Sequence, residues 1–184
     1  MGVLANILGG YSYIRETLLG RTKPNRVSWL LWAIVPTIAT LAGLASGVTW
    51  AIVPVFMSGF IPLLIFIFSF KNKNAYWKLT IFDYACGILS ILAILLWLIT
   101  KQPILAIILA IAGDALAALP TIRKSWIDPG TESSGPYLAG IVSQMTGLLA
   151  AQNYEFTQIG FLCYLMTVNT VIMFSIHRHK IFAH

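Results

Sequence analysis

The chain has 184 residues, of which 58% are hydrophobic and only 10% charged, and its mean hydropathy is +0.82. Such a composition is too apolar for a domain that folds in water, and it implies a membrane protein. The formal charge of +6 raises nucleic acid as a partner, but the basic residues form short clusters between long apolar runs, a pattern that positive-inside topology explains and nucleic-acid binding does not.

Crossing a hydrocarbon core of roughly 30 Å takes about 20 mostly apolar residues. Seven runs qualify in chain order: Met1 to Leu19, Val27 to Gly47, Trp50 to Phe70, Leu79 to Thr100, Pro103 to Ile122, Pro136 to Gln152 and Thr157 to Ile176. The first is the weakest, because Arg15 interrupts it. It has no positive n-region and no small-residue cleavage site, so it reads as a mature helix rather than a secretory signal. Asn6 stands where a myristoylation motif needs Ser or Thr. Pro103 and Pro136 open their runs, where a missing N–H costs nothing. Cys86 and Cys163 lie within apolar runs and read as buried free thiols rather than a disulfide.

The loops orient these spans. With the amino terminus outside, every Lys and Arg except Lys101 falls on the cytoplasmic side, among them Arg15, Arg21, Lys23, Arg26, Arg123, Lys124, Arg178 and Lys180. A model with six or eight spans puts whole clusters on the wrong side. The expected topology is therefore seven spans, amino terminus out and carboxyl terminus in.

The layout repeats. At an offset of 108, Tyr13 to Thr17 falls under Thr121 to Ser125, Ser28-Trp29 under Pro136-Tyr137, and Asn6 under Asp114; at an offset of 106, Phe68 to Lys71 falls under Phe174 to His177. The expected fold is an all-α membrane protein with seven transmembrane helices, arranged as two parallel three-helix repeats (residues 1–71 and 103–184) joined by a linker helix (72–102). Parallel repeats of this kind are a transporter plan, with substrate held near the midplane between them.

This three-one-three layout, the Pro120-Thr121 pair near the cytoplasmic end of span five and the basic-then-polar loop after it resemble the PQ-loop superfamily, which includes the SWEET and SemiSWEET sugar transporters. The resemblance covers nearly the whole chain in layout. The signature position after the proline is Thr121 rather than Gln, and the first repeat has Ser12-Tyr13 where the pair would stand. The chain looks most like small bacterial PQ-loop-like membrane proteins with a KPNR loop in one half and a PTxRKxWxxP loop in the other. The resemblance implies a carrier in the bacterial cytoplasmic membrane. Bacterial nicotinamide-riboside transporters share the helix layout, so a vitamin or nucleoside remains an alternative to a sugar, as does an amino acid.

Asp114 is the strongest single signal for a site. It lies nine residues before Arg123, about 13 Å along a helix, and a carboxylate at that depth costs at least about 2.5 kcal/mol. It is expected to contact substrate and to act as the proton-coupling residue; the competing reading is an acid that only ties helices together. Asn6, Gln144 and Asn169 fall at similar depth. With Asp114 they make a polar ring suited to a hydroxyl-rich or amide-bearing solute. The resemblance implies an asparagine on the last helix of each repeat; Asn169 meets this and Leu63 does not. Trp32 is expected as a pocket wall, whereas Trp29 and Tyr137, with Trp50, Trp77, Trp97, Trp126 and Tyr154, read as interface anchors. Pro36 and Pro120, with Pro54 and Pro62, interrupt helical bonding, and Pro36 and Pro120 are expected hinges. Asp83, five residues after Lys78, reads as a structural or gating ion pair with a basic loop residue.

His177, His179 and His184 cluster in a basic tail without a nearby thiol or carboxylate, and no metal site is expected there. No catalytic motif occurs, so neither enzymatic activity nor a cofactor is expected. The expected partners are a small-molecule substrate and the lipid bilayer; assembly as a homo-oligomer stays open. A non-transporting receptor or scaffold is the rival class. Short loops and a single outside cation, Lys101, speak against it.

Overall fold

The computed structural model describes residues 2–45, 53–100, 102–151 and 154–181. Gly47, Trp50, Lys101, Gln152 and His184 lie outside the described residues, as do the side chains of Pro54, His179 and Lys180. Among the described residues there are seven α-helices and no strand: α1 Gly2–Leu18, α2 Arg26–Ala45, α3 Val53–Phe68, α4 Ile81–Ile99, α5 Pro103–Ile127, α6 Gly135–Leu149 and α7 Phe156–Ile181. Each apolar run of the sequence holds one helix. Three segments, Ile81–Ile99, Ile104–Ile127 and Ile159–Arg178, are long and apolar enough to cross a membrane, and Arg26–Leu41 and Val55–Phe68 are shorter apolar helices.

Local chemistry sets the helix ends. α1 stops because Gly20 adopts a φ of 74°. That left-handed residue lets Arg21 N–H reach Glu16 O at 2.9 Å and Gly20 N–H reach Thr17 O at 3.0 Å, a Schellman closure that satisfies the last carbonyls. α4 starts at a capping box in which Thr80 and Asp83 bond each other's backbone. α5 and α7 run to Ile127 and Ile181, past the Ile122 and Ile176 at which their apolar runs end. The added turns carry Arg123, Lys124 and Arg178, cations that suit the negative end of a helix dipole. Arg178 also donates to the carbonyls of Ser125 (3.3 Å) and Ser175 (2.9 Å), tying the two ends together.

The helices pack in a regular scheme. α3 packs against both α1 and α2, and α7 against both α5 and α6; α1 meets α6, α2 meets α5, and α4 lies on α5 and α2. Outward faces are apolar, with Ile81, Ile88, Leu92, Leu95 and Ile99 of α4 exposed. The main buried cluster, Tyr13, Trp29, Ile65, Ala118, Tyr137, Val168 and Ile172, sits toward the end of the bundle where α1 gives way to α2 and α5 to α6. That end carries Arg15, Arg21, Arg26, Arg123 and Lys124 and is called the basic end below.

Candidate functional site

A cavity of about 210 Å³ opens between the two helix groups. Asn6, Trp32, Asp114, Gln144 and Asn169, the five residues expected to contact solute, all line it, together with Pro36. They come from α1, α2, α5, α6 and α7, so the chain must be folded before any of them meet. No Lys, Arg or His is among the lining residues.

Asp114 sits near the middle of α5. Its Oδ2 accepts the Tyr164 hydroxyl at 2.8 Å, and the Trp32 indole lies close enough to act on the carboxyl. The carboxyl is thus held by an uncharged donor from α7, with an indole of α2 beside it and no cation among the described lining residues. On α7, the Asn169 amide donates through Nδ2 to Leu165 O, one turn back, at 2.8 Å. The carboxamide fits because position 140 is glycine: a Cβ there would lie 2.7 Å from Asn169 Nδ2. Asn6 Nδ2 makes a long bond of 3.4 Å to Ser143 Oγ. Gln144 has no side-chain partner among the described residues.

Beneath the cavity, toward the basic end, the floor is aromatic. Trp29 and Tyr137 line it and are 3% and 2% exposed, which corrects their assignment as interface anchors: a belt residue must reach the headgroups, and these rings cannot. Their centroids are 6.3 Å apart, and Trp32 stands edge-on to Trp29 at 5.1 Å. Such pairs contribute about 0.5–1.5 kcal/mol each beyond burial.

A closed polar network continues from the floor. Trp29 Nε1 donates to Tyr13 Oη at 3.3 Å, and Tyr137 Oη donates to Glu132 Oε1 at 3.1 Å; the Tyr13 hydroxyl lies near the same carboxylate. Glu132 forms an ion pair with Lys124, both side chains being 0% exposed. The Lys124 ammonium completes its donors on the backbone carbonyls of Lys23 and Thr131. Lys23 N–H in turn donates to Thr131 O at 2.8 Å. One buried ion pair therefore ties together the α1–α2 loop, the α5–α6 loop and the cavity floor.

The remaining expected residues lie elsewhere. Pro120 is buried within α5 but does not line the cavity. Asp83 is buried at the start of α4, where its Oδ1 accepts Asn25 Nδ2 at 2.8 Å and its Oδ2 accepts Thr80. The partner of Asp83 is thus a neutral carboxamide, not a basic loop residue, because the capping role points the carboxylate back at its own helix start and at α2. His177 bonds Ser134 Oγ at 2.7 Å and links α7 to the start of α6. No group of three or more His, Cys, Asp or Glu side chains placed to hold a metal occurs among the described residues.

Three features were not singled out in the sequence: Tyr164 as the partner of Asp114, Ser58 on the cavity wall, and the Lys124–Glu132 pair. Tyr164 had a weak signal, since it stands in the middle of an apolar run, too deep for an interface belt. Compared with protein-family models, curated proteins and solved structures, the chain matches none.

Proposed function

We propose that the chain is an integral-membrane carrier for a small polar solute, hydroxyl-rich and sugar-like, bound in the central cavity and passed across by alternating access. The observation that carries this reading is the meeting of Asn6, Trp32, Asp114, Gln144 and Asn169, far apart in sequence, on one cavity. At about 30 Å³ per water, its volume of about 210 Å³ holds about seven waters. It suits a monosaccharide-sized solute better than a drug-sized ligand, whose pockets begin near about 300 Å³.

In this reading α1–α3 and α5–α7 are parallel repeats, α4 is the linker, and the chain lies in a bacterial cytoplasmic membrane with its basic end inside, as kin of the PQ-loop superfamily. Supporting it, Asn6 and Asp114, Trp29 and Tyr137, and Pro36 and Gln144 are each 108 positions apart, and all six line the cavity. The packing pattern also interchanges: α1 on α6 matches α5 on α2, and α3 stands to α1 and α2 as α7 stands to α5 and α6. The exposed Leu and Ile of α4 suit lipid and would be a liability in water.

Release toward the basic end requires the Trp29–Tyr137 floor to part, and with it the Lys124–Glu132 pair. Pro36, on the cavity wall, and Pro120, one turn from Lys124, are the places where α2 and α5 bend most easily. Asp114 is the proton-coupling group, because it is the carboxyl that faces the solute. The aromatic floor also suits a planar ring, so a nucleoside or vitamin is the second reading. Uptake into proteoliposomes across a panel of sugars, nucleosides and amino acids, with and without a pH gradient, tests the proposal. Saturable uptake of a hydroxyl-rich member that Asn169→Leu abolishes is expected. Fluxes equal to protein-free vesicles for every member would leave a receptor or scaffold.

A further inference from the structure

The cavity presents an unequal set of hydrogen-bonding groups, because most of its donors are already used within the protein. Asn169 Nδ2 bonds Leu165 O, Ser58 Oγ donates to Val55 O at 2.7 Å, Tyr137 Oη donates to Glu132, and Trp29 Nε1 donates to Tyr13. The Trp32 indole lies beside the Asp114 carboxyl, the acceptor at hand for its N–H. The orientation of Asn169 is settled by chemistry rather than by shape: Leu165 O only accepts, so the NH₂ must face it and Oδ1 must face away. What remains toward the solute is acceptors: Asn169 Oδ1, the lone pairs of Ser58 and the carboxyl of Asp114, which has about four acceptor sites and spends only part of them on Tyr164 and Trp32. Gln144 and Asn6 are the exceptions, each with a carboxamide that offers one donor group and one acceptor, although the Asn6 amide already makes a long 3.4 Å bond to Ser143. No basic side chain among the described residues lines the cavity.

We infer that the cavity recognises its solute through donors the solute brings, taking neutral polyols and their amino-substituted forms and excluding the matching carboxylates. This rests on the reading of the cavity as the substrate site and names the chemistry that reading leaves open. A hydroxyl-rich or ammonium-bearing solute supplies O–H or N–H groups to Asp114, Asn169 and Ser58. It turns its apolar ring face to Trp32 and Phe161, both on the wall. A carboxylate or phosphate meets a carboxyl and unpaired acceptors with only the neutral carboxamides of Gln144 and Asn6 to answer it. Each acceptor left facing an acceptor in a dry site loses a bond and gains repulsion. Asp114 and Asn169 are therefore specificity-determining residues, and Gly140 is a positioning residue that keeps the Asn169 carboxamide in place.

The test uses the full chain in lipid nanodiscs and matched probes that differ in one group: glucose, 6-amino-6-deoxyglucose and glucuronate, with the corresponding 5′-alcohol, 5′-amine and 5′-carboxylate of adenosine. Binding is read by calorimetry. For whichever skeleton binds, the alcohol and the amine are expected to outbind the carboxylate on the order of tenfold or more, the ratio for one lost hydrogen bond to a charged group. Asp114→Asn is expected to narrow that gap while Asn169→Leu weakens all members, with thermal unfolding midpoints reporting that both variants fold. A carboxylate that binds as tightly as its alcohol, through a site that Asn169→Leu weakens, overturns the inference and leaves the cavity as substrate site. Binding that Asn169→Leu leaves untouched, or no binding by any probe, overturns the cavity reading and the inference with it.

Discussion

Trp29 and Tyr137 separate two polar regions that treat hydrogen bonding in opposite ways. Above them, in the cavity, Gln144 has no side-chain partner among the described residues, Asn6 holds a 3.4 Å contact, and Asn169 spends one group of two. Below them, Lys124 has three acceptors, Glu132 has an ammonium and the Tyr137 hydroxyl, and the two loops are bonded to each other. Helices α1, α2, α5 and α6 contribute to both, and the difference is that the loops at the basic end supply the partners there. A region that is satisfied by its own chain has no use for a ligand, which suits the closure of the proposed carrier; a region left short of partners is where a solute would add bonds. Even this region has loose points, since the buried hydroxyls of Ser28 and Thr121 have no hydrogen-bond partner among the described residues.

The comparison breaks most completely at the ion pair. Removing one member of a fully buried pair strands the other charge and costs about 3–5 kcal/mol, so Lys124→Met and Glu132→Gln should each lower the thermal midpoint strongly. The double variant should recover most of the loss, because no lone charge remains. A double-mutant cycle in detergent checks this, and additive losses would show that the two side chains do not act as a pair.

Asp114→Asn comes next. Asn keeps size and hydrogen bonding but carries no titratable proton, so uphill, pH-driven accumulation should vanish while exchange or downhill flux persists. Transport by the wild-type protein that ignores a pH gradient, with an equally active variant, would remove proton coupling and leave Asp114 as an acceptor for solute alone.

At Gly140, a methyl group sharpens the cavity side of the comparison. Gly140→Ala places a Cβ 2.7 Å from Asn169 Nδ2, and forcing the carboxamide aside costs about 1–3 kcal/mol. Solute affinity should fall about tenfold or more with the basic end unchanged. Full affinity with an unmoved Asn169 would show that the carboxamide has room to spare.

Asn25→Ala gives the smallest effect. It strips Asp83 of its partner across α2 and α4, at about 1–3 kcal/mol for a buried polar group left unpaired. Stability should drop while solute affinity stays the same. A loss of affinity would place Asp83 in the transport path rather than in the scaffold.

How much of this was legible in the chain depended on the kind of signal. Asp114, Asn6, Gln144 and Asn169 stood out because a polar group inside an apolar run is costly wherever it points, and counting from the nearest basic cluster gave its depth. The helices were legible for the same reason, since every run was long and bounded by charge or Gly and Pro. Which face each helix turns inward was not: α2 and α6 are mostly apolar, so Trp29 and Tyr137 matched an interface belt as well as a buried floor. Lys124 was read with its basic neighbour Arg123 as a topology signal. Its pairing with Glu132 depends on the loop after α5 folding back over the helix end, a contact that no local pattern encodes.

The central claim, a cavity that opens alternately to the two sides with the Lys124–Glu132 layer as one closure, is tested most directly without knowing the solute. In a Cys86→Ala, Cys163→Ala background, Gln144→Cys places one thiol on the cavity wall of protein reconstituted in vesicles of known orientation. A membrane-impermeant maleimide should label it readily from the side away from the basic loops and slowly from the basic side. Lys124→Met with Glu132→Gln should speed the second reaction. Labelling from one side only, at a rate indifferent to the paired substitutions, would contradict alternating access through this cavity.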